Sequence, residues 1–389
     1  MKILQAISGI WEHTGGPAES VPKLCSALAR YGNNVSILTL DGLLSSATEE
    51  CRADGVEICT VSHHRQVSFA VFKASLVLSK QVDLVHGHGL WLPTNWAAGR
   101  AARRNNKPLV ISLRGSLNPK ALNHSRWKKL VAGFLFDNKY LRAARCLHAT
   151  STEEYKAIRS YGLKNPVAII PNGVETKFFV NLSVENEFFK RHYVSEDKKI
   201  LLYLSRISWE KGLEDLAVAW GKVAGDFTDW ELVIVGQGRP DYVSKVKGIF
   251  QKGPGWDRVK WLGLLTGADK FAAYAAASLF VLPSHTENFS LVTAEALAAG
   301  LPVITTHGTP WSELPEKGCG WWIPIGAESL TKTLCAALAL PENILKEMGV
   351  RGKALIGSKY SWSVIAEEMI NVYEWVMGNR EIPSCVRLD

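Results

Sequence analysis

Two carboxylates, Glu287 and Glu295, stand eight residues apart in the stretch PSHTENFSLVTAEALAAG, residues 283 to 300. Between them lies Asn288-Phe289-Ser290. Ser290 is suited to cap a helix over Leu291 to Ala299, and Gly300 followed by Pro302 is a helix stop. Just upstream, SLFVLPS (Ser278 to Ser284) is a short apolar run of buried-strand type. Strand, polar loop and helix start follow in that order, and open α/β sheets bind ligands at the carboxyl ends of their strands. The backbone N–H groups of Asn288, Phe289 and Ser290 would face such a crevice and favour an anion or a ring of hydroxyls. The competing reading is a capped amphipathic helix with two solvated glutamates.

Other residues suit the same chemistry. Arg206 and Lys211 follow the run LLYLS; two cations five residues apart, one rigid and bidentate, fit a diphosphate. The plain alternative is a surface arginine and a helix-start lysine. Gly15 and Gly16 form a loop between a first strand and a first helix, where missing side chains let backbone approach a phosphate or sugar. His86 and His88 end the strand DLVHGHG; their alternate spacing is read as placing them on opposite faces, so that they do not share a metal. Arg114, in SLRGS, is a cation at the next strand end, fit for a phosphate, an acceptor or a structural salt bridge. Asn172-Gly173 is a turn of type I′ or II, or a shaper of the site. There is no Asp-x-Asp set at a strand end and no His/Cys ligand cluster; Asp197, Asp215 and Asp241 stand alone. Catalysis without a bound metal is the expectation, with Arg206 and Lys211 supplying the positive charge.

These residues need a frame. At 389 residues the chain suits two domains of typical size. Strand-like runs are Ile3 to Ser8, Val35 to Leu40, Val56 to Val61, Asp83 to His86, Leu109 to Leu113, Cys146 to Ala149 and Ala168 to Ile170. Helical patterns separate most of them, as in Pro17 to Tyr31. A second series begins at Ile200 and runs through Glu231 to Val235, Val259 to Gly263, LFVLP and PVITT. Each series implies a parallel sheet covered by helices. The polar stretch around residues 175 to 198 marks the boundary.

Composition excludes several classes. No apolar run is long enough to span a bilayer, and Lys2 to Ile10 is too short for a signal peptide and reads as a buried strand. The seven cysteines are scattered without a Cys-x-x-Cys pair, which argues for a reducing cytosol over a disulfide framework or zinc site. The net charge of +8 suits an anionic ligand, membrane surface or nucleic acid without choosing among them. Nucleic acid is the poorest fit, since no stacking motif accompanies the charge.

The stretch from Pro283 to Val303 resembles the Glu-x7-Glu region of family 4 retaining glycosyltransferases: Pro283-Ser284, Glu287, Phe289-Ser290, Glu295-Ala296-Leu297-Ala298, Gly300 and Pro302-Val303. SRISWEKG (Ser205 to Gly212), VIVGQG (Val233 to Gly238), IPNGVE (Ile170 to Glu175) and TGGPAES (Thr14 to Ser20) are similar to further family segments, in the same order. The resemblance implies a GT-B fold: two Rossmann-like domains facing across a cleft, with a C-terminal helix, here Tyr360 to Met377, crossing back to the first. On that basis residues 1–178 with 362–389 form the acceptor domain and 179–361 the donor domain. The resemblance assigns Arg206 and Lys211 to the nucleotide's phosphates, Glu295 to the ribose hydroxyls and Glu287 to the donor sugar. It places a functional histidine, read as His88, near the reacting carbon, and seats the base by Gly236, Gly238 and backbone around Leu264. Gly15, Gly16, Arg114, Asn288, Phe289 and Ser290 complete the expected donor contacts.

The implied activity is a metal-independent, retaining hexosyl transfer from a UDP-, GDP- or ADP-linked sugar to a saccharide or polyprenyl-diphosphate-linked acceptor, with no cofactor. The implied setting is bacterial surface polysaccharide such as O-antigen (lipopolysaccharide) or capsule. The segment Pro119 to Arg145, basic and rich in aromatics, reads as a membrane-surface helix or as a core-packed helix with a solvated basic face, with Arg100 to Lys107 adding charge nearby. The expected location is therefore cytoplasmic, peripheral on an anionic membrane. Of fourteen tryptophans, Trp11 and Trp91 are placed to stack on a sugar. Rival readings are another enzyme on the same fold, such as a phosphorylase, or a non-catalytic nucleotide- or glycan-binding GT-B-like module.

Overall fold

A computed structural model of the chain describes residues 1–10, 16–42, 46–62, 67–117, 138–176, 195 and 197–389. The fold divides into two units, Met1–Gly173 with Trp362–Asp389, and Val174–Ser361. The expected division at 178/179 lies outside the described residues.

The first unit holds β1 (Lys2–Ala6), α1 (Gly16–Arg30), β2 (Asn34–Leu40), α2 (Ser46–Ala53), β3 (Glu57–Val61), α3 (Val67–Gln81), β4 (Leu84–His88), α4 (Pro93–Arg104), β5 (Leu109–Ser112), α5 (Asn138–Ala143), β6 (Cys146–Ala149), α6 (Thr152–Ser160) and β7 (Val167–Ile169). The second holds β8 (Lys199–Leu204), α7 (Leu213–Val223), β9 (Trp230–Val235), α8 (Pro240–Phe250), β10 (Val259–Gly263), α9 (Gly267–Ala276), β11 (Leu279–Leu282), α10 (Leu291–Ala299), β12 (Val303–Thr306), β13 (Gly320–Ile323), α11 (Ala327–Leu338) and α12 (Glu342–Leu355). α13 (Trp362–Val376) and β14 (Val386–Arg387) return to the first unit.

The first sheet runs β14-β7-β6-β5-β4-β1-β2-β3 and the second β10-β9-β8-β11-β12-β13. All pairings are parallel except β14 with β7. Parallel strands covered on both faces need apolar side chains on both, which is why β5 and β11 read as apolar runs and β2, β5, β9 and β11 are buried almost throughout. In each sheet the winding reverses once, between β1 and β4 and between β8 and β11. There the loops leaving adjacent strands diverge and open a crevice.

α13 buries Trp362, Ile365, Ala366, Met369, Val372 and Tyr373 in the same core as Ile3, Val21, Leu28 and Leu84. A second cluster, including Leu4, Val85, Ile111 and Leu147, fills the other face of the first sheet. All seven cysteines are free thiols. No helix among the described residues is long and apolar enough to cross a membrane.

Candidate functional site

In the second unit the winding reversal gathers most of the sequence candidates. Arg206 lies in the loop that leaves β8, and Lys211 ends a short 3₁₀ turn, Trp209–Lys211. Lys211 Nζ forms an ion pair with Glu287 Oε1 from the loop leaving β11, and Ser284 Oγ donates to the same oxygen at 3.2 Å. The two loops are also strapped by backbone, His285 N–H donating to the Glu210 carbonyl at 2.7 Å, and Glu287 N–H donates to the Gly308 carbonyl of the loop leaving β12 at 2.7 Å. His285 Nε2 lies 2.7 Å from Asp215 Oδ2 at the start of α7. Asp215 is therefore not isolated, and neither is Asp241, which pairs with Arg239 at 2.8 Å. Arg206 is exposed and makes no hydrogen bond or ion pair with a described residue.

Ser290 occupies the N-cap position of α10 but corrects the capping expectation. Its backbone is left-handed (φ 67°), which turns the hydroxyl away from the helix N–H groups, and its Oγ meets Thr293 Oγ1 at 2.9 Å. No described acceptor takes the backbone N–H of Phe289 or Ser290. Free N–H groups beside a left-handed residue at a helix start make an anion-binding concavity. Phe289 itself is core: its ring packs against Trp311 and Tyr360 at centroid distances of 5.4 and 5.8 Å, and Trp311 Nε1 donates to its carbonyl.

Glu295 is buried, and both its oxygens are in use. Lys270 Nζ reaches Oε1 at 2.7 Å and Tyr274 OH donates to Oε2 at 2.9 Å. Lys270 and Tyr274 were not singled out from sequence, although their i, i+4 spacing on α9 is the available signal. Gly236 and Gly238 have a packing reason: a Cβ there would sit 1.8 Å from the Ser205 carbonyl and 2.0 Å from the Ile207 carbonyl. Their lack of side chains keeps the Arg206 loop flat against the β9 exit. Leu264, just past β10, is 57% exposed.

The first unit presents a different set. Gly15 and Trp11 lie outside the described residues; Gly16 is the first residue of α1 rather than loop. His86 and His88 do not point to opposite faces. Residues two apart on a strand share a face, and their rings stand 4.2 Å apart, both buried. Burial, adjacent imidazoles and Arg114 hold both well below the ordinary histidine pKa. His88 Nε2 lies 2.7 Å from Gln5 Oε1, and Arg114 Nη2 reaches His88 Nδ1 at 3.4 Å. Asn172 Oδ1 accepts from Arg114 Nη1. The network continues through Tyr373, Ser112 and His148, which sequence reasoning missed; the signal was a lone polar side chain inside each of the apolar runs KILQA and CLHA. Trp91 and Arg114, both just past strand ends, also have positive φ (59° and 54°), the strained backbone that concentrates at functional sites.

Of the segment Pro119 to Arg145, residues 119–137 lie outside the described residues; α5 and the turn to β6 follow. Among the described residues no group of three His, Cys, Asp or Glu side chains is arranged to hold a metal ion.

Residues 14–178 match the model of Glycosyltransferase Family 4, and residues 184–354 that of Glycosyl transferases group 1. An uncharacterized glycosyltransferase of Methanocaldococcus jannaschii is 26% identical, over 94% of this chain and 97% of that one. An alpha-monoglucosyldiacylglycerol synthase of Streptococcus pneumoniae is 26% identical, over 76% of this chain and 68% of its own. The fold is similar to that of Anabaena HepE, solved in complex with UDP and glucose: TM-score 0.77, 18% identity, 96% of this chain and 100% of that one. The chain thus belongs to the group 1, family 4 glycosyltransferases and has their GT-B fold.

Proposed function

We propose that the protein moves a hexose from a nucleoside diphosphate sugar to a saccharide or lipid-linked acceptor, with retention of configuration and without a metal ion. The observation that carries this reading is the convergence of Arg206, Lys211 and Glu287 at the β8/β11 winding reversal, beside N–H groups of Phe289 and Ser290 that no described acceptor takes. In the transfer, the acceptor oxygen bonds to the anomeric carbon while the bond from that carbon to the phosphate oxygen breaks. The acceptor's proton passes to the departing phosphate, and nucleoside diphosphate leaves. Charge develops on the diphosphate, where fixed cations and N–H groups stabilise it most. Arg206 offers an unpaired guanidinium to it, and Lys211 is held at the same place by Glu287. Glu295, oriented by Lys270 and Tyr274, takes the ribose hydroxyls.

A lipid-linked acceptor, assembly of a surface glycan or glycolipid, and residence on the inner face of the cytoplasmic membrane belong to the same proposal. The pneumococcal relative's glycolipid product supports them. So does the surface of α3 and α4, where Phe69 is 72% and Val77 52% exposed among exposed Lys73, Lys80, Arg100, Arg103 and Arg104. Asp83 is the only acidic residue between Ile58 and Phe136. Apolar side chains within a basic field suit an anionic lipid surface.

The test is a panel of UDP-, GDP- and ADP-sugars incubated with the protein and chelator, with free nucleotide as readout and Glu287→Ala as control. Release from one donor, lost in the variant, is the expected result. Abolition by chelator would overturn metal independence. Absence of both nucleotide release and donor binding by calorimetry would overturn the transferase reading.

A further inference from the structure

The guanidinium of Arg114 is enclosed without a counter-ion among the described residues. Its Nη1 donates to Asn172 Oδ1 and, at 3.3 Å, to Ser20 Oγ, and its Nη2 to His88 Nδ1. All three acceptors are neutral. Its Nε–H is buried with no acceptor, and Arg114 makes no ion pair among the described residues. The carboxylate that acts on it most strongly, Glu154, spends its oxygens on the Gly115 N–H and on the Thr150 N–H and hydroxyl, at 2.7 and 2.9 Å. Burial lowers the arginine's pKa to about 10, so it remains a cation at neutral pH. The residue as a whole is only half-buried, so part of it meets solvent. An enclosed cation without a counter-ion is costly to a folded chain.

The imidazoles around that charge are neutral. The order of protons in the network follows from one end. The Ile170 carbonyl can only accept, so His148 Nε2–H donates to it at 2.7 Å and His148 Nδ1 must accept. Ser112 then donates to His148 Nδ1 (2.6 Å) and accepts from His86 Nε2–H (2.7 Å). His86 Nδ1 accepts from Tyr373 OH (2.6 Å), whose oxygen accepts from the Gln5 amide (3.1 Å). The Gln5 carbonyl is left to accept from His88 Nε2–H (2.7 Å). Each imidazole is thereby neutral with hydrogen on Nε2, and the His88 Nδ1 lone pair faces Arg114. His88 anchors the guanidinium and adds no charge of either sign.

We propose that Arg114 is an oxyanion-binding residue of the first unit, held by His88, Asn172 and Ser20 for a phosphate group brought by a substrate. One Nη2–H is used by no described acceptor, and an arginine's planar guanidinium recognises phosphate through charge-assisted bonds. The ligand's identity rests on the transferase reading, which supplies two sources of that chemistry: the donor's diphosphate and the phosphate of a lipid-linked acceptor. Gln5, His86, Ser112, His148 and Tyr373 are positioning residues that act through His88.

The test uses the full chain carrying Arg206→Ala and Lys211→Ala, which removes the diphosphate cations of the second unit. Inorganic phosphate is titrated by calorimetry into this protein and into the same protein with Arg114→Gln. Binding in the first and a loss of about tenfold or more in the second is the expected result. Equal affinity in both, or no binding in the protein that retains Arg114, would overturn the proposal. UDP titrated into otherwise wild-type Arg114→Gln names the source: unchanged affinity points to the acceptor's phosphate, weakened affinity to the donor's. The Tm of Arg114→Gln should match or exceed wild type, since an unpaired buried charge is removed. A lower Tm with phosphate binding intact would make Arg114 a structural strut. If the glutamine variant does not fold, Arg114→Lys replaces it, with weakened but measurable binding expected. Failure of the donor panel would leave this phosphate site standing, so the two readings fail separately.

Discussion

Lys211 and Glu287 form an ion pair whose side chains are only 13% and 12% exposed. The pair joins the loop after β8 to the loop after β11, so the proposed phosphate lysine is also a structural partner of the second loop. Removing one member leaves the other charge largely buried without its counter-ion. Lys211→Ala should therefore cost on the order of 3 kcal/mol of stability as well as turnover. The double variant Lys211→Ala/Glu287→Ala should be less destabilised than the sum of the singles, by about 1–3 kcal/mol in chemical denaturation. Additive losses would mean that the pair contributes nothing.

Arg206 is the contrasting case. It is exposed and makes no hydrogen bond or ion pair with a described residue, so Arg206→Ala should leave Tm nearly unchanged. Its proposed work is on the developing charge of the leaving diphosphate, and its loss should lower kcat about a hundredfold. A variant with near-normal turnover would remove it from the transition state.

How far the site was legible in the sequence depended on how far apart the partners lie along the chain. Arg206, Lys211, Glu287 and Ser290 follow strand-like runs directly, and a parallel sheet delivers every strand's exit loop to one edge. Position in the rhythm of strands was therefore enough to place them. The Gln5–Tyr373 bond spans 368 residues, and the Lys270–Glu295 pair depends on the packing of α9 against α10. No local pattern encodes either. β13 went unread because its Gly-Trp-Trp-Ile run is short and lacks both alternation and an aliphatic core, and β14 has only two residues. The misplacement of His86 and His88 came from the strand period itself, since residues two apart share a face.

Glu295 is proposed to take the ribose hydroxyls, and its orientation depends on Tyr274 OH and Lys270 Nζ. Tyr274→Phe should raise the donor KM several-fold with kcat little changed, the pattern expected when an interaction equal in ground and transition states is weakened. A fall in kcat at unchanged KM would assign the Tyr274–Glu295 pair to the chemical step instead.

Membrane residence makes a separate demand on the first unit. Lys73→Glu with Phe69→Ser should reduce binding to vesicles containing phosphatidylglycerol, and Lys128→Glu with Lys129→Glu, in the basic stretch of the sequence from Pro119 to Arg145, should do the same. Each charge near an anionic surface is worth about 1 kcal/mol, so a reversal should be readily measured and should fade with salt. Binding that is unchanged in both variants would leave the acceptor soluble.

The three clustered histidines set the acid limit of the fold. Burial comes first in holding His86 and His88 well below the ordinary value, and burial with the nearby Arg114 depresses His148 to about 3. In the unfolded chain all three titrate near 6.5. Above that pH neither state carries these protons, and the histidines' contribution is fully present. As pH falls below about 6.5 the unfolded chain takes up protons that the folded chain refuses, so stability declines. With three protons withheld, the slope approaches about 4 kcal/mol per pH unit at its steepest. Urea denaturation at pH 7, 6 and 5 measures it, and His148→Gln should lower the slope by about one proton's share. A stability that is flat over this range would mean that the folded chain binds these protons too, which the Ile170-to-Gln5 order of hydrogen bonds does not allow.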